Sequence, residues 1–153
     1  MAKGPIDKMQ FKGGDALVLR APEEFEAELS SLRERTPVKT TLRSKGPFPF
    51  ALAFVTSCAE IEALAAKVAD RVEEDGILWF AYPKKSSKRY DSDVGRDDSW
   101  GPLGEVGFEP VRQIAIDEDW SALRFRRVEH IKSFTRSDKM ILSAAGKKRA
   151  RKR

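Results

Sequence analysis

Hydrophobic residues along the chain alternate between short continuous runs and stripes at helical spacing. Residues 16–19 form a continuous apolar run typical of a buried strand, and the apolar residues of 25–32 repeat at the spacing of one helix face. A β-branched, alternating segment at 38–42 and an apolar run at 50–55 predict two more strands, separated by a proline-containing loop over 43–49. The first half of the chain therefore predicts strands separated by helical segments.

A second helix is predicted after the strand at 50–55. Ser57 and Glu60 have the spacing of a capping box, in which each side chain accepts a hydrogen bond from a free backbone N–H. An apolar stripe over 61–72 follows at helical spacing, and Asp75-Gly76 is expected to end the helix. The continuous apolar run at 77–82 then predicts another buried strand.

The last third of the chain predicts a polar loop, a short helix and a hairpin. The loop covers 84–98, and the helix lies around 100–106. Strands at 110–116 and 121–127 are separated by only four residues, as in an antiparallel hairpin. Strands that alternate with helices favour parallel pairing through right-handed crossovers. The predicted fold is α/β: a truncated Rossmann or methyltransferase-like doubly wound sheet, mostly parallel, with one antiparallel strand from the C-terminal hairpin.

Length and composition predict a single domain with terminal extensions. The 153 residues divide into an arm at 1–14, one α/β domain at 15–128, an extension at 129–145 and a basic, disordered tail at 146–153. Hydrophobic residues make up 41% of the chain, but no apolar run approaches the ~20 residues that cross a bilayer. With a single cysteine and no apolar leader, we expect a cytoplasmic protein that does not bind membranes.

The positive charge of the chain is concentrated at its C-terminus. The formal net charge is +5, but without the six basic residues of 146–153 only 23 basic residues stand against 24 acidic ones, a net charge of −1. A cationic tail of this kind can contact nucleic-acid phosphates without reading sequence. The alternative is a tail that only increases solubility. The residues of this candidate nucleic-acid contact are Lys147, Lys148, Arg149, Arg151, Lys152 and Arg153.

The first turn after the strand at 16–19 lacks the glycines that a nucleotide-binding sheet uses. In a dinucleotide or S-adenosylmethionine fold, glycines at this turn let backbone N–H groups approach the ligand. Here the turn reads Arg20-Ala21-Pro22-Glu23-Glu24, with a proline that lacks an N–H and two carboxylates that repel anions. The predicted fold therefore carries a turn unsuited to its usual cofactors, and we expect none.

Several segments of the chain resemble a known family. They are Ile77–Lys88, with its sequence ILWFAYPKKSSK, Val111–Asp117 and Trp120–Arg126; Asp93, Arg96-Asp97 and Trp100 fit the same pattern, and Val18–Glu24 is also similar. They are similar to a family of small bacterial proteins known only as a domain of unknown function. The resemblance implies a Rossmann or methyltransferase-like domain without the glycine motif, and it implies no activity.

The loop at the end of the strand at 77–82 is the candidate ligand site. Ligands of open α/β sheets bind at the carboxyl ends of the strands, where lysines, hydroxyls and a helix N-terminus favour an anion. The competing interpretation is a solvated loop whose aspartates, among them Asp91 and Asp93, neutralise the lysines. The candidate ligand-binding residues are Lys84, Lys85, Ser86, Ser87, Lys88 and Arg96.

For the other chemically reactive residues, the sequence predicts structural roles. Trp120 beside the hairpin turn is expected to pack on the sheet with its N–H bonded locally, and Arg124 to pair with Asp117 or Asp119. Cys58 lies at a helix start, but His130, the only histidine, is far away in sequence, so no catalytic pair and no zinc site are predicted.

These observations favour a Rossmann-like, non-catalytic module that binds a small anionic ligand or a protein partner. Two alternatives stay open. One is a divergent S-adenosylmethionine-dependent methyltransferase that holds its cofactor without the glycine turn. The other is an accessory nucleic-acid-binding protein that acts through its basic tail.

Overall fold

A computed structural model describes residues 5–43, 46–95 and 99–128 of the chain. The described residues form one six-stranded sheet of order β2-β1-β3-β4-β6-β5. Neighbours among the first four strands pair in parallel, and β6 is antiparallel to both β4 and β5. The strands are β1 (Ala16–Leu19), β2 (Val38–Lys39), β3 (Phe48–Phe54), β4 (Val72–Pro83), β5 (Phe108–Ala115) and β6 (Trp120–Arg127).

Helices cover both faces of the sheet. One apolar layer contains Ile61 and Val68 from α3 and Leu103 from α4, packed with Phe80 of β4. The other contains residues of α1 and α2, packed around Trp79 of the same strand. Successive strand residues point to opposite faces, so the continuous apolar run of β4 supplies both layers. The helices are α1 (Pro5–Lys8), α2 (Glu26–Arg35), α3 (Cys58–Ala69) and α4 (Gly101–Glu105).

This topology confirms the predicted fold class. The sheet is doubly wound, and β6 is its one antiparallel strand, contributed by the C-terminal hairpin. The sheet is also truncated beyond β2, because the chain passes from this edge strand to β3 without a further helix among residues 40–43 and 46–47. The protein therefore has a Rossmann or methyltransferase-like α/β fold.

The prediction that α3 extends to Asp75 was wrong. The helix ends at Ala69, and Val72 instead pairs with Phe48 at the start of β4. An apolar residue at helical spacing also suits a buried strand, so periodicity alone could not place this boundary. A backbone hydrogen bond marks the boundary in the structure: the N–H of Phe48 donates to the carbonyl of Arg71 at 2.7 Å. Residues 73–76 form an irregularity in the parallel register that follows.

Two further elements differ from the sequence-based expectation. Strand β2 has only two residues, and β3 begins at Phe48 rather than at residue 50. At the N-terminus, α1 packs on the sheet with Ile6 and Met9 buried. The carbonyl of Met9 accepts a 3.0 Å hydrogen bond from the indole N–H of Trp79, which attaches this segment to the centre of β4.

Candidate functional site

The turns that follow β1, β3 and β4 meet at one edge of the sheet. Parallel strands bring their carboxyl ends together, and antiparallel β6 adds its own first residue, Trp120, to the same edge. This is the edge at which open α/β sheets bind ligands. Its chemistry depends on the side chains of the first turn and of the loop after β4.

Arg20 takes the backbone position where a glycine would be expected. Its φ is +61°, in the left-handed region that favours glycine, and it follows the last residue of β1. The guanidinium lies 3.0 Å from the carboxylate of Glu60 on α3. Next to it, Pro22 is extended and precedes a 3-10 turn, Glu23–Phe25.

The carboxylate of Glu24 is held by donors from two distant segments. It accepts hydrogen bonds from the hydroxyl of Tyr90 at 2.6 Å and from the indole N–H of Trp120 at 3.0 Å. The guanidinium of Arg89 lies 3.4 Å away. Burial raises the pKa of Glu24, but the hydrogen bonds from Tyr90, Trp120, its own backbone and Arg89 outweigh burial and lower the pKa from 4.5 to about 2. Glu24 is therefore an anion whose partners come from its own chain.

Trp120 packs against the sheet, as the sequence predicts. Its ring lies edge-on to Phe54 at a centroid distance of 5.2 Å and to Tyr90 at 4.9 Å. The partner of its N–H is Glu24, 96 residues away, rather than a local group. The structure thus joins Tyr90, Trp120 and Glu24 in a cluster, hereafter the Glu24 cluster, that spans the first turn and the loop after β4.

Asp119 fixes the start of the loop after β4. Its carbonyl accepts a 2.8 Å hydrogen bond from the N–H of Lys84, and its carboxylate accepts one of 2.8 Å from the Ser87 hydroxyl. The Ser87 oxygen in turn accepts from the N–H groups of Arg89 and Tyr90, both at 3.2 Å. The hydroxyl of Ser87 is therefore already used in holding the loop.

The remaining predicted ligand residues lie on the outer side of this loop. Lys85, Ser86 and Lys88 are exposed, and Lys84 is half-buried. Among residues 5–43, 46–95 and 99–128, none of the ion pairs involves these three lysines. Arg96 lies outside the described residues, as do all the basic residues of the C-terminal tail and His130.

Asp93 caps the start of α3 rather than neutralising the lysines. One of its carboxylate oxygens accepts a 2.8 Å hydrogen bond from the N–H of Cys58. The predicted capping box is present in part: the Ser57 hydroxyl accepts from the N–H of Glu60 at 3.2 Å, but the carboxylate of Glu60 accepts from Thr56 rather than from Ser57. The N–H groups of Cys58 and Glu60 at this helix start, which would otherwise favour an anion, already have acceptors from the chain itself.

The polar side chains at the hairpin and the thiol of Cys58 all contact groups of the chain itself. The Asp117 carboxylate accepts from the N–H groups of Asp119 and Trp120, both at 2.8 Å, and so shapes the turn. Arg124 does not pair with either aspartate, since it lies farther along β6 and donates to the Gln10 side chain.

The Cys58 thiol lies 3.5 Å from the Ser99 hydroxyl. Within the described residues, no cluster of three or more His, Cys, Asp or Glu can hold a metal ion.

Comparison with known proteins identifies similar solved structures only. No family model and no curated protein matches the chain. N-methyltransferase NodS from Bradyrhizobium japonicum WM9 is 11% identical over 74% of this chain and 85% of that chain, with a TM-score of 0.49. The PH0226 protein from Pyrococcus horikoshii OT3 is 10% identical over 80% and 86%, also with a TM-score of 0.49. A Methanococcus jannaschii fibrillarin pre-rRNA processing protein is 13% identical over 74% and 66%, with a TM-score of 0.48.

Strand order and direction by themselves define the fold class. No helix in the described part of the chain is long and apolar enough to cross a membrane.

Proposed function

We propose that this chain is a Rossmann-like binding module that takes a small anionic ligand at the loop after β4. The observation that carries the proposal is the contrast between two parts of the carboxyl edge. At the first turn, one carboxylate oxygen of Glu24 is already engaged by Tyr90, Trp120 and Arg89 of its own chain. On the loop, Lys85 and Lys88 are exposed beside a backbone that Asp119 holds in place. Charged donors on an ordered loop bind phosphate or carboxylate groups by charge-assisted hydrogen bonds.

A thermal-shift experiment tests this proposal. Inorganic phosphate, pyrophosphate and adenosine monophosphate serve as probes, because a ligand that binds only the folded protein raises its melting temperature. The test variant replaces Lys84, Lys85 and Lys88 with alanine. The control variant replaces Lys8, Lys39 and Lys67 with alanine. These lysines are exposed elsewhere on the protein, and replacing them changes the net charge by the same amount.

We expect at least one probe to raise the melting temperature of the wild type and of the control variant, and not that of the loop variant. An equal rise in all three proteins would show that the loop is not the site. No rise in the wild type with any anionic probe would overturn the proposal for small ligands, and would leave the acidic surface of a protein partner as the module's target.

A divergent S-adenosylmethionine-dependent methyltransferase is the second candidate, favoured by the Rossmann or methyltransferase-like strand order. The first turn does not fit that cofactor well. Arg20 replaces the expected glycine, and the Oε2 atom of Glu24 already accepts hydrogen bonds from both Tyr90 and Trp120. Calorimetric titration with S-adenosylmethionine separates the candidates. Binding with a micromolar dissociation constant would favour the enzyme, and its absence the binding module.

A further inference from the structure

A second cleft lies at the opposite edge of the sheet from the proposed ligand loop. Its volume is about 320 Å³, at the lower end of the range typical of small-molecule sites. It is bounded by the segment that precedes β1, by the irregular start of β4 and by the second half of β6. The side chains that define its charge and hydrogen bonding are Gln10, Lys12, Glu73, Asp75, Arg124 and Arg126.

The two arginines of this cleft have different partners. Arg126 forms a two-point ion pair with Asp75, with nitrogen–oxygen distances of 2.9 and 3.0 Å. Arg124, two residues earlier on the same face of β6, donates one terminal nitrogen to the neutral side-chain oxygen of Gln10. Its Nε is buried and has no hydrogen-bond partner among residues 5–43, 46–95 and 99–128. Within the part of the chain that the structure describes, Arg124 thus forms no ion pair like the one between Arg126 and Asp75.

The surroundings of Arg124 leave its charge poorly compensated. Burial lowers the pKa of this guanidinium, and the like charges of Arg126 and Arg112 lower it further, while Asp75 raises it. Arg112 is the residue directly opposite Arg124 in the β5–β6 register. A buried polar N–H without an acceptor destabilises the folded protein, and the penalty is larger for a charged group. A small rotation of the Arg124 side chain would present this N–H to an anion in the cleft, which would then supply the missing acceptor.

We propose that this cleft is a binding site for a small oxyanion, a carboxylate or a phosphate monoanion, held by Arg124. The Nε edge of a guanidinium presents two parallel N–H groups, a spacing that matches two oxygens of one such anion. Lys12 lies at the same cleft and adds a second cation. Lining carboxylates of Glu73 and Asp75 offset part of this charge, which favours a singly charged ligand over a polyanion such as nucleic acid.

Titrations of the full chain with acetate and with inorganic phosphate, each against chloride at the same ionic strength, test the site. Chemical shifts of backbone amides, recorded by NMR, identify where each probe binds. We expect saturable shifts at Gln10, Gly13 and Gly76. The variant Arg124→Gln should weaken binding by at least about tenfold, since two charge-assisted hydrogen bonds are lost. The variant Arg124→Lys keeps the positive charge but lacks the paired N–H groups of the guanidinium, so it should bind with intermediate affinity.

The matched control is Arg112→Gln, which removes the same charge from the neighbouring strand at an exposed position that does not line the cleft. If Arg112→Gln and Arg124→Gln weaken binding equally, the effect is a general one of charge and the site is wrong. The absence of saturable shifts at this cleft in the wild type overturns the proposal even if an Arg124 variant fails to fold. Lys12→Gln, at an exposed position, should weaken binding without disturbing the sheet.

This site is separate from the ligand loop, so the two proposals fail independently. Replacing Lys84, Lys85 and Lys88 should leave binding at Arg124 unchanged, and Arg124→Gln should leave the thermal shift at the loop unchanged. Acetate binding without phosphate binding would identify a carboxylate ligand, and the reverse a phosphate ligand.

Discussion

The hydroxyl of Tyr90 donates a 2.6 Å hydrogen bond to the carboxylate of Glu24, 66 residues earlier in the chain. This contact joins the loop after β4 to the first turn of the sheet. In a cofactor-binding Rossmann sheet the first turn faces a ligand. Here its carboxylate faces a tyrosine, a tryptophan and an arginine of the same protein. The Glu24 cluster therefore has consequences for stability that can be measured.

Tyr90→Phe removes the hydrogen bond to Glu24 and keeps the ring that packs on Trp120. Because the acceptor is charged and partly buried, we expect the free energy of unfolding to fall by about 2 kcal/mol. Urea denaturation followed by tryptophan fluorescence measures the change. Tyr82→Phe is the control, since its hydroxyl accepts from the exposed, neutral side chain of Gln113. A loss at Tyr82 as large as that at Tyr90 would argue against a special role for the Glu24 cluster.

The pKa of Glu24 predicts how stability depends on acid. The folded-state pKa of about 2 lies below the ordinary value of 4.5, so between these values the unfolded chain binds more protons than the folded one. Its contribution is complete above about pH 4.5 and is lost as the pH falls toward 2. The total is at most about 3 kcal/mol, from 1.36 kcal/mol per pKa unit.

Unfolding free energies of the wild type and Glu24→Gln across this range test the dependence on acid. We expect the difference between them to shrink steadily as the pH is lowered from 5 toward 2, by about 3 kcal/mol at most. Glu62→Gln, at an exposed position of α3, makes the same change in net charge and should follow the wild-type curve. A constant difference between wild type and Glu24→Gln would contradict the lowered pKa.

Arg20 holds a left-handed backbone conformation, with φ of +61°. Arg20→Gly should therefore be more stable than Arg20→Ala, by about 1 kcal/mol, because glycine adopts this conformation without steric cost. Both variants lose the same ion pair with Glu60, so the comparison isolates the backbone. Thermal or urea unfolding of the two variants measures the difference in stability. If Arg20→Ala is as stable as Arg20→Gly or more stable, the backbone at residue 20 is not strained.

Deletion of residues 146–153 tests the alternative, left open by the sequence, that the basic tail binds nucleic acid. The truncated chain should lose binding to double-stranded DNA, measured by fluorescence anisotropy, because the six basic residues of the tail provide the predicted phosphate contacts. In the full-length chain, affinity should fall steeply with salt as counterions are released. Unchanged affinity and salt dependence after truncation would place any binding elsewhere.

Local sequence patterns predict most of the sheet and few of its exact ends. The apolar run at 77–82 indicates the central strand, because a strand buried on both faces needs hydrophobic residues at every position. The hairpin follows from two alternating runs with a four-residue gap. Val72 shows where such patterns fail, since its spacing suits α3 but its backbone neighbours place it in β4. Strand pairing, a long-range interaction, decided that boundary.

Position in the chain predicted which loop lies at the ligand edge, but not what its side chains contact. Ser87 and Asp93 are polar loop residues that suit ligand binding equally well, and both are engaged by the chain itself. The sequence did not predict the cleft at Arg124. Gln10 and Arg124 are 114 residues apart, and nothing in the local pattern around either residue indicates the other.

The sequence alone determined the order of strands and helices, the parallel sheet with its antiparallel hairpin, and a first turn without glycine. These properties depend on side-chain periodicity and backbone preferences, which act over a few neighbouring residues. Only the tertiary structure decided that Glu24 meets Tyr90 and Trp120, and that the buried Nε of Arg124 has no acceptor in the described part of the chain. Those outcomes depend on strand register and loop path, which bring together groups from distant segments and determine which charges find partners.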